Sequence, residues 1–249
     1  MESTPTNSKI YILPCMLTCT SLFCGFYSIV AAINGDFFNS AVAILVAGVF
    51  DGLDGRVARM TGATSKFGFE LDSLCDLVSF GVAPALLVYQ WALLPFERYG
   101  WLAAFLYVAT TALRLARFNT HISEDHDFIG LPCPAAAGLI ATTVMFFTKF
   151  FEINGPVEHI TLLFLVYILS YLMVSNHPYR SFKQPDTMKK AKSFQAVVGM
   201  ILLLALLATE PPITLFAFTL LYVSSGPILA LYGLVVKDRK KISDKKTVS

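Results

Sequence analysis

The feature that most constrains the fold of this chain is a series of apolar runs, each about as long as a membrane-spanning helix. A helix rises 1.5 Å per residue and needs about 20 residues to cross the hydrocarbon core of a bilayer. Measured against that length, the sequence contains about eight candidate spans, separated by turns rich in Gly, Pro and Asn. They cover residues 10–33, 38–60, 68–94, 99–118, 132–151, 158–176, 194–209 and 212–236. We therefore predict an all-α integral membrane protein.

The composition excludes a soluble fold. Hydrophobic residues make up 55% of the 249 residues and charged residues only 14%, whereas globular domains carry about 25% charged residues. The formal net charge of +2 leaves no basic surplus that would indicate a nucleic-acid partner. We expect a single transmembrane domain over residues 1–249, in which residues 237–249 form a basic cytoplasmic tail.

The distribution of the basic residues predicts how the chain is oriented. With the N-terminus in the cytoplasm, every Lys and Arg except Arg98 and Lys149 falls on the cytoplasmic side. This is the arrangement that the positive-inside rule requires. We therefore expect both termini to be cytoplasmic, with the basic residues of 180–192 and 237–246 against the anionic lipids of the inner membrane.

Two pairs of aspartates interrupt the second and third apolar runs. Asp51 and Asp54 lie near the end of the second run, and Asp72 and Asp76 lie near the start of the third. An aspartate at the centre of a membrane helix costs about 2.5–3.5 kcal/mol, so such residues are rare and functional. The helical repeat places each pair on one face of its helix, and the short connection over 60–67 makes the two helices antiparallel neighbours. We expect all four carboxylates to converge at the cytoplasmic side.

Four converging carboxylates in a low-dielectric site need neutralisation, and two divalent cations would supply it. An all-oxygen ligand set favours Mg²⁺ or Mn²⁺, with Ca²⁺ as an alternative. Paired cations suit phosphoryl transfer. Gly55 and Ala58 leave room for a phosphate beside the acids, and the Arg59 guanidinium group offers a positive charge to it.

Two alternatives to a metal site stay open. The aspartates could form structural salt bridges to Arg56, Arg59 or Lys66. They could also line the ion pathway of a transporter or channel, although the acids of such proteins usually lie nearer the bilayer midplane.

The segment from Asp51 to Asp76, DGLDGRVARMTGATSKFGFELDSLCD, resembles the signature of the CDP-alcohol phosphotransferases, which is DxxDGxxAR, eight residues, then GxxxDxxxD. Every defining position matches. The resemblance implies that all four aspartates hold two divalent cations and that Asp76 deprotonates the acceptor alcohol. It also implies that the CDP moiety is bound by Gly55, Ala58, Arg59 and Gly68, and that the protein forms a homodimer in the membrane.

Further stretches are similar to the branch of that family that uses L-serine. They are SFGVAPA at 79–85, RLARFN at 114–119, GLPCPAAAG at 130–138 and MVSNHPYRSFK at 173–183. The resemblance implies that the phosphatidyl group of CDP-diacylglycerol passes to the hydroxyl of L-serine and that CMP is released. Sister enzymes that use glycerol 3-phosphate, inositol phosphate or choline remain the alternative.

Four basic residues are candidates for binding the serine carboxylate or a phosphate. Arg114 and Arg117 end the fourth predicted helix, and a guanidinium fork suits a carboxylate. Arg180 and Lys183 could hold a lipid phosphate. The alternative is that all four only anchor the helices on the cytoplasmic side.

The first helix departs from the family pattern at two positions. Members of the family usually carry Asn after the proline that opens this helix and again a few residues on, whereas this chain has Cys15 after Pro14, and later Ser21. We therefore assign no residue of the first helix to the cytosine base.

Overall fold

A computed structural model describes residues 8–62, 65–120, 130–151, 159–175, 206 and 209–227. The regular structure within these ranges is entirely helical. The α-helices are α1 Ser8–Ile33, α2 Phe37–Thr61, α3 Lys66–Asp76, α4 Ala83–Val88, α5 Glu97–Thr120, α6 Cys133–Phe150 and α7 Ile160–Val174. Leu77–Val82 and Tyr89–Leu93 are π-helical, Leu94–Phe96 is a 3₁₀ turn, and residues 211–227 are again helical.

Four of these helical stretches are long and apolar enough to cross a membrane. They are Ile12–Ile33, Phe37–Thr61, Lys66–Thr120 and Cys133–Phe150, and α7 is a shorter apolar helix. The prediction of an all-helical membrane protein is thereby confirmed for the described residues. The first six predicted spans coincide with helices. The seventh lies almost entirely outside the described residues and the eighth is described only to residue 227, so the total of eight spans stays a prediction.

The 55-residue stretch Lys66–Thr120 contains two antiparallel arms. The chain reverses after Pro95, where Glu97 takes a φ of 44°, an unusual conformation for a residue other than glycine. Ser73 in the first arm donates a hydrogen bond to the Asn119 side chain at the far end of the second arm, at 3.2 Å. This one stretch therefore contains the third and fourth predicted spans.

Helices α1 and α2 form an antiparallel pair whose register is fixed by hydrogen bonds between buried polar side chains. Small and hydroxyl residues allow close packing of membrane helices and can bond across their interface. Three contacts follow one another along the pair: Ser28 to Ser40 at 2.9 Å, Ser21 to the carbonyl of Ala47 at 3.0 Å, and Thr18 to Asp54 at 2.7 Å. The last contact brings α1 to the aspartate motif.

A second contact of α1 positions the helix that follows Asp76. The Ser79 hydroxyl, in the π-helical segment, donates to the Ser21 carbonyl at 3.2 Å. Gly25 lies directly opposite, and a Cβ at that position would be 2.5 Å from the Ser79 hydroxyl oxygen. Only glycine fits so close an approach. The first helix is thus packed against both segments that carry the aspartates.

The charged residues separate to the two ends of the bundle. We call the end at which α2 leads into α3 the signature end; Arg56, Arg59, Lys66 and Arg117 lie there. The opposite end holds Asp36, Glu97 and Arg98, and also the ion pair between Lys149 and Glu210 at 3.1 Å. This separation is the one expected from the positive-inside rule. Which end faces the cytoplasm stays a prediction.

Candidate active site

Three of the four aspartates meet at the signature end. Asp51, Asp72 and Asp76 are half-buried, and each offers a carboxylate oxygen such that the three atoms lie within 4.8 Å of one another. Asp51 and Asp76 also approach within hydrogen-bonding distance. Asp51 comes from α2 and the other two from α3, so the structure brings Asp51 of the first predicted pair together with both members of the second.

Asp54 is also buried at this end but lies outside the group of three. Its exposed fraction is 5%, and its Oδ2 atom accepts a hydrogen bond from the Thr18 hydroxyl at 2.7 Å. Asp54 and Asp72 line the same cavity. That cavity therefore connects Asp54 with the three-acid group.

The cavity, of about 200 Å³, lies between the signature ends of α1, α2 and α3. The sequence predicted α2 and α3 as antiparallel neighbours, and their carboxylates do meet. Most other contacts of α2 are with α1 and α6, and α3 packs on α1. Helix α1 therefore contributes a third wall to the cavity, beside α2 and α3. Its lining consists of Pro14, Cys15, Thr18, Asp54, Gly55, Ala58, Arg59, Ser65, Gly68, Phe69 and Asp72.

All four residues predicted to contact the CDP moiety line this cavity, namely Gly55, Ala58, Arg59 and Gly68. In the part of the chain that the structure describes, no heavy atom beyond the adjacent turns of its own helix lies within 4 Å of a Cβ built on Gly55, so the missing side chain leaves open space there. The Arg59 Nε atom donates to the Gly55 carbonyl at 2.9 Å, which holds the side chain along its own helix. The cavity thus combines small residues, a guanidinium group and carboxylates, a set suited to a phosphate-containing ligand.

Sequence reasoning missed five residues of the cavity: Pro14, Cys15, Thr18, Ser65 and Phe69. Ser65 caps α3, because its hydroxyl accepts from the Gly68 amide at 3.0 Å. Cys15 lies where family members usually carry Asn, so the departure in the first helix falls inside the cavity. The spacing of Thr18, Ser21 and Ser28 on one face of α1 was the available signal that this helix meets polar groups.

The described residues do not bear out the salt-bridge alternative. Within them, none of the four aspartates forms an ion pair with Arg56, Arg59 or Lys66; Lys149 and Glu210, at the opposite end, do pair. Three carboxylate oxygens within 4.8 Å, unmatched by a basic side chain, form a donor set that a hard divalent cation fits.

The candidates for the serine carboxylate differ in their surroundings. Arg114 donates from Nη1 to the Cys133 sulfur at 3.4 Å, and within the described ranges its buried Nε atom has no hydrogen-bond partner. Arg117 is exposed. Arg180 and Lys183 lie outside the described residues.

Comparison with known proteins agrees with the signature. Residues 11–169 match the family model of the CDP-alcohol phosphatidyltransferases. A CDP-diacylglycerol–serine O-phosphatidyltransferase of Helicobacter pylori is 39% identical over 233 residues, which cover 93% of this chain and 95% of the relative. The Bacillus subtilis protein of the same name is 38% identical over 69% of this chain and 92% of its own.

An archaeal relative is named for archaetidylserine instead of a phosphatidyl lipid. The archaetidylserine synthase of Methanothermobacter thermautotrophicus is 37% identical over 67% of this chain and 69% of its own. The match to the family model, over residues 11–169, includes every residue of the three-acid group and of the cavity lining. The chain therefore belongs to the CDP-alcohol phosphatidyltransferase family and is a phosphatidyltransferase.

Proposed function

We propose that this protein transfers the phosphatidyl group of CDP-diacylglycerol to the hydroxyl of L-serine and releases CMP. The observation that carries the proposal is that Asp72 belongs both to the three-acid group and to the cavity lined by the remaining signature residues. A diphosphate in that cavity would lie beside the acids. Serine is favoured as the acceptor because the relatives from Helicobacter and Bacillus are named for it and the archaeal one for its serine lipid.

We propose that Asp51, Asp54, Asp72 and Asp76 hold two divalent cations, Mg²⁺ or Mn²⁺, with Ca²⁺ as an alternative. When bound, such cations neutralise the diphosphate and stabilise the charge that develops on the attacking and leaving oxygens. The three clustered carboxylates support this assignment. Asp54 would join them through the cavity that it shares with Asp72.

Asp76 is the proposed general base, since it belongs to the three-acid group. It takes the proton of the serine hydroxyl. The serine oxygen then forms a bond to the phosphorus that carries diacylglycerol, and the bond from that phosphorus to the CMP oxygen breaks. CMP leaves with the electron pair of that bond, and Arg59 in the cavity stabilises its charge.

Arg114 is the better of the two arginine candidates for the serine carboxylate. Among the described residues its buried Nε atom has no hydrogen-bond partner, and its Nη1 atom donates to a thiol, which is a weak acceptor. A carboxylate would satisfy the donors of this guanidinium group. Arg117 is a second, more exposed cation, and Arg180 and Lys183 are proposed to hold a lipid phosphate.

The proposal includes the setting of the enzyme. The basic residues at the signature end support a site that faces the cytosol from the inner membrane, where both serine and the lipid are accessible. A homodimer is proposed on the family resemblance alone.

The test is an assay of CMP release by purified protein in mixed micelles of CDP-diacylglycerol with Mg²⁺ or Mn²⁺. Serine, glycerol 3-phosphate, inositol, inositol phosphate and choline are supplied one at a time. We expect metal-dependent CMP release with serine and a lipid product that carries its amino group. Turnover with another alcohol alone would identify a sister enzyme. Ion flux in liposomes without CMP release would favour a transporter.

A further inference from the structure

We propose that Thr18 in the first helix is a positioning residue for Asp54, so that α1 forms part of the metal centre although the signature lies in α2 and α3. This inference rests on the proposed function, because it assigns to Asp54 a role as a metal ligand. It adds a residue from outside the signature whose hydroxyl determines how well the centre holds its cations.

The contact between the two side chains is short and buried. The Thr18 hydroxyl donates to Asp54 Oδ2 at 2.7 Å, and each residue has an exposed fraction of 5%. A separation of this size is typical of a hydroxyl that donates to an ionised carboxylate. A buried carboxylate without a donor would be strongly disfavoured, so this contact stabilises Asp54 in its present orientation.

The Thr18 hydroxyl has a second acceptor within reach. The Pro14 carbonyl of its own helix lies 3.1 Å away. One hydroxyl hydrogen serves two acceptors, and the shorter distance and the charge favour Asp54. The side chain is therefore held by its own helix on one side and directed at the aspartate on the other.

The placement of Thr18 follows from the register of the whole α1–α2 pair. Ser21 bonds to the Ala47 carbonyl and Ser28 to Ser40, and these contacts prevent α1 from sliding along α2. Thr18 also lines the cavity next to Asp54. Hydrogen bonds from outside the immediate ligand shell orient metal ligands, and their loss typically weakens metal binding about 10- to 100-fold.

The experiment compares three variants with the unmodified protein. Thr18→Val keeps the shape of the side chain and removes the hydroxyl. Thr18→Ser retains the hydroxyl and removes the methyl group. Thr20→Val is the matched control, because the Thr20 hydroxyl donates to the Met16 carbonyl within its own helix and Thr20 is not among the cavity residues. Mn²⁺ affinity is measured by calorimetry or electron paramagnetic resonance without lipid substrate, and the Mg²⁺ requirement is measured by CMP release.

We expect Thr18→Val to bind Mn²⁺ about tenfold more weakly and to need correspondingly more Mg²⁺ for half-maximal activity. Thr18→Ser and Thr20→Val should match the unmodified protein. Thr18→Ala repeats the measurement if the valine variant does not fold. Unchanged Mn²⁺ affinity in the folded variant, or equal losses in Thr18→Val and Thr20→Val, would overturn the inference. If the unmodified protein itself binds no Mn²⁺ and releases no CMP, the proposed function fails instead.

Discussion

At the scale of single residues, the four aspartates of the signature differ in what surrounds them. Asp51, Asp72 and Asp76 face one another, so that like charges lie within 4.8 Å, whereas Asp54 is held by a hydroxyl. Carboxylates this close cannot all stay ionised without a counter-charge. A cation bound between them would remove the repulsion, and one carboxylate beside it could then accept a proton.

The roles proposed for Asp51 and Asp76 predict that substitution by asparagine affects turnover and Mn²⁺ binding differently at the two positions. Asp76→Asn should lower turnover at least about 100-fold, because the base is missing, while largely keeping Mn²⁺ binding. Asp51→Asn should lose Mn²⁺ binding as well as turnover. CMP release and Mn²⁺ calorimetry on the same preparations separate the two effects.

Asp36→Asn is the matched control for these substitutions. Asp36 caps α2 at the opposite end, where its side chain accepts from the Asn39 amide, and an asparagine can accept the same bond. We expect this variant to behave as the unmodified protein does. Equal and mild losses at Asp51 and Asp76 would contradict the division of roles.

The convergence of the acids could be predicted from sequence because it depends only on helical spacing and a short connection. The position of Asp54 apart from the other three aspartates could not be predicted, since its partner Thr18 lies 36 residues earlier in the chain, in another helix. The departure of Cys15 from the family pattern is visible in the sequence, but its position in the cavity could not be predicted, because it depends on how α1 packs. Spacing within one helix is local, whereas the lining of a cavity depends on three helices at once.

At the scale of elements, the first six predicted spans begin and end within about three residues of continuous helical stretches, because length and hydropathy decide such spans in a membrane. The π-helical segment Leu77–Val82, directly after Asp76, was not predicted. Periodicity does not distinguish it from an α-helix over so short a range. The contribution of α1 to the cavity was also not predicted, because it depends on how α2 and α3 pack on α1.

The close approach of α1 to that π-helical segment predicts a stability effect. In Gly25→Ala the new Cβ would lie 2.5 Å from the Ser79 hydroxyl oxygen and 2.7 Å from the Ser79 Cα, so the helices must separate. Overpacking of this kind costs about 1–3 kcal/mol. We expect a lower midpoint of thermal unfolding in detergent and reduced activity, because α1 also carries Thr18.

Gly48→Ala provides the comparison at a helix-interior glycine. There the added Cβ would lie 3.8 Å from Phe80, which is an ordinary contact distance. The midpoint of thermal unfolding of this variant should be unchanged or slightly higher, since alanine has a higher helix propensity than glycine. If Gly25→Ala proves as stable as Gly48→Ala, α1 does not pack on the π-helical segment as described.

At the scale of the whole molecule, the separation of charges predicts which end of the bundle meets the cytoplasm. Met60 is 87% exposed at the signature end, and Asn34 is exposed at the opposite end. In an active variant without the native cysteines, Asn34→Cys should react with a membrane-impermeant maleimide on intact cells. Met60→Cys should react only after permeabilisation. The reverse pattern would place the site on the outer face.

The proposed metal centre would join α1, α2 and α3 at one end of the bundle, so cation binding should stabilise the molecule as a whole. A ligand that binds only the folded state at 100 times its dissociation constant adds about 2.7 kcal/mol. Chelator-treated protein should therefore unfold at a higher temperature once Mn²⁺ or Mg²⁺ is added, and CMP release should return with the same concentration dependence. Asp36→Asn should show the full shift and Asp51→Asn almost none. A similar shift of the unfolding temperature with K⁺ at equal ionic strength would mean that screening, rather than a bound ion, relieves the repulsion among the carboxylates. Full activity in the chelated protein would exclude a catalytic metal.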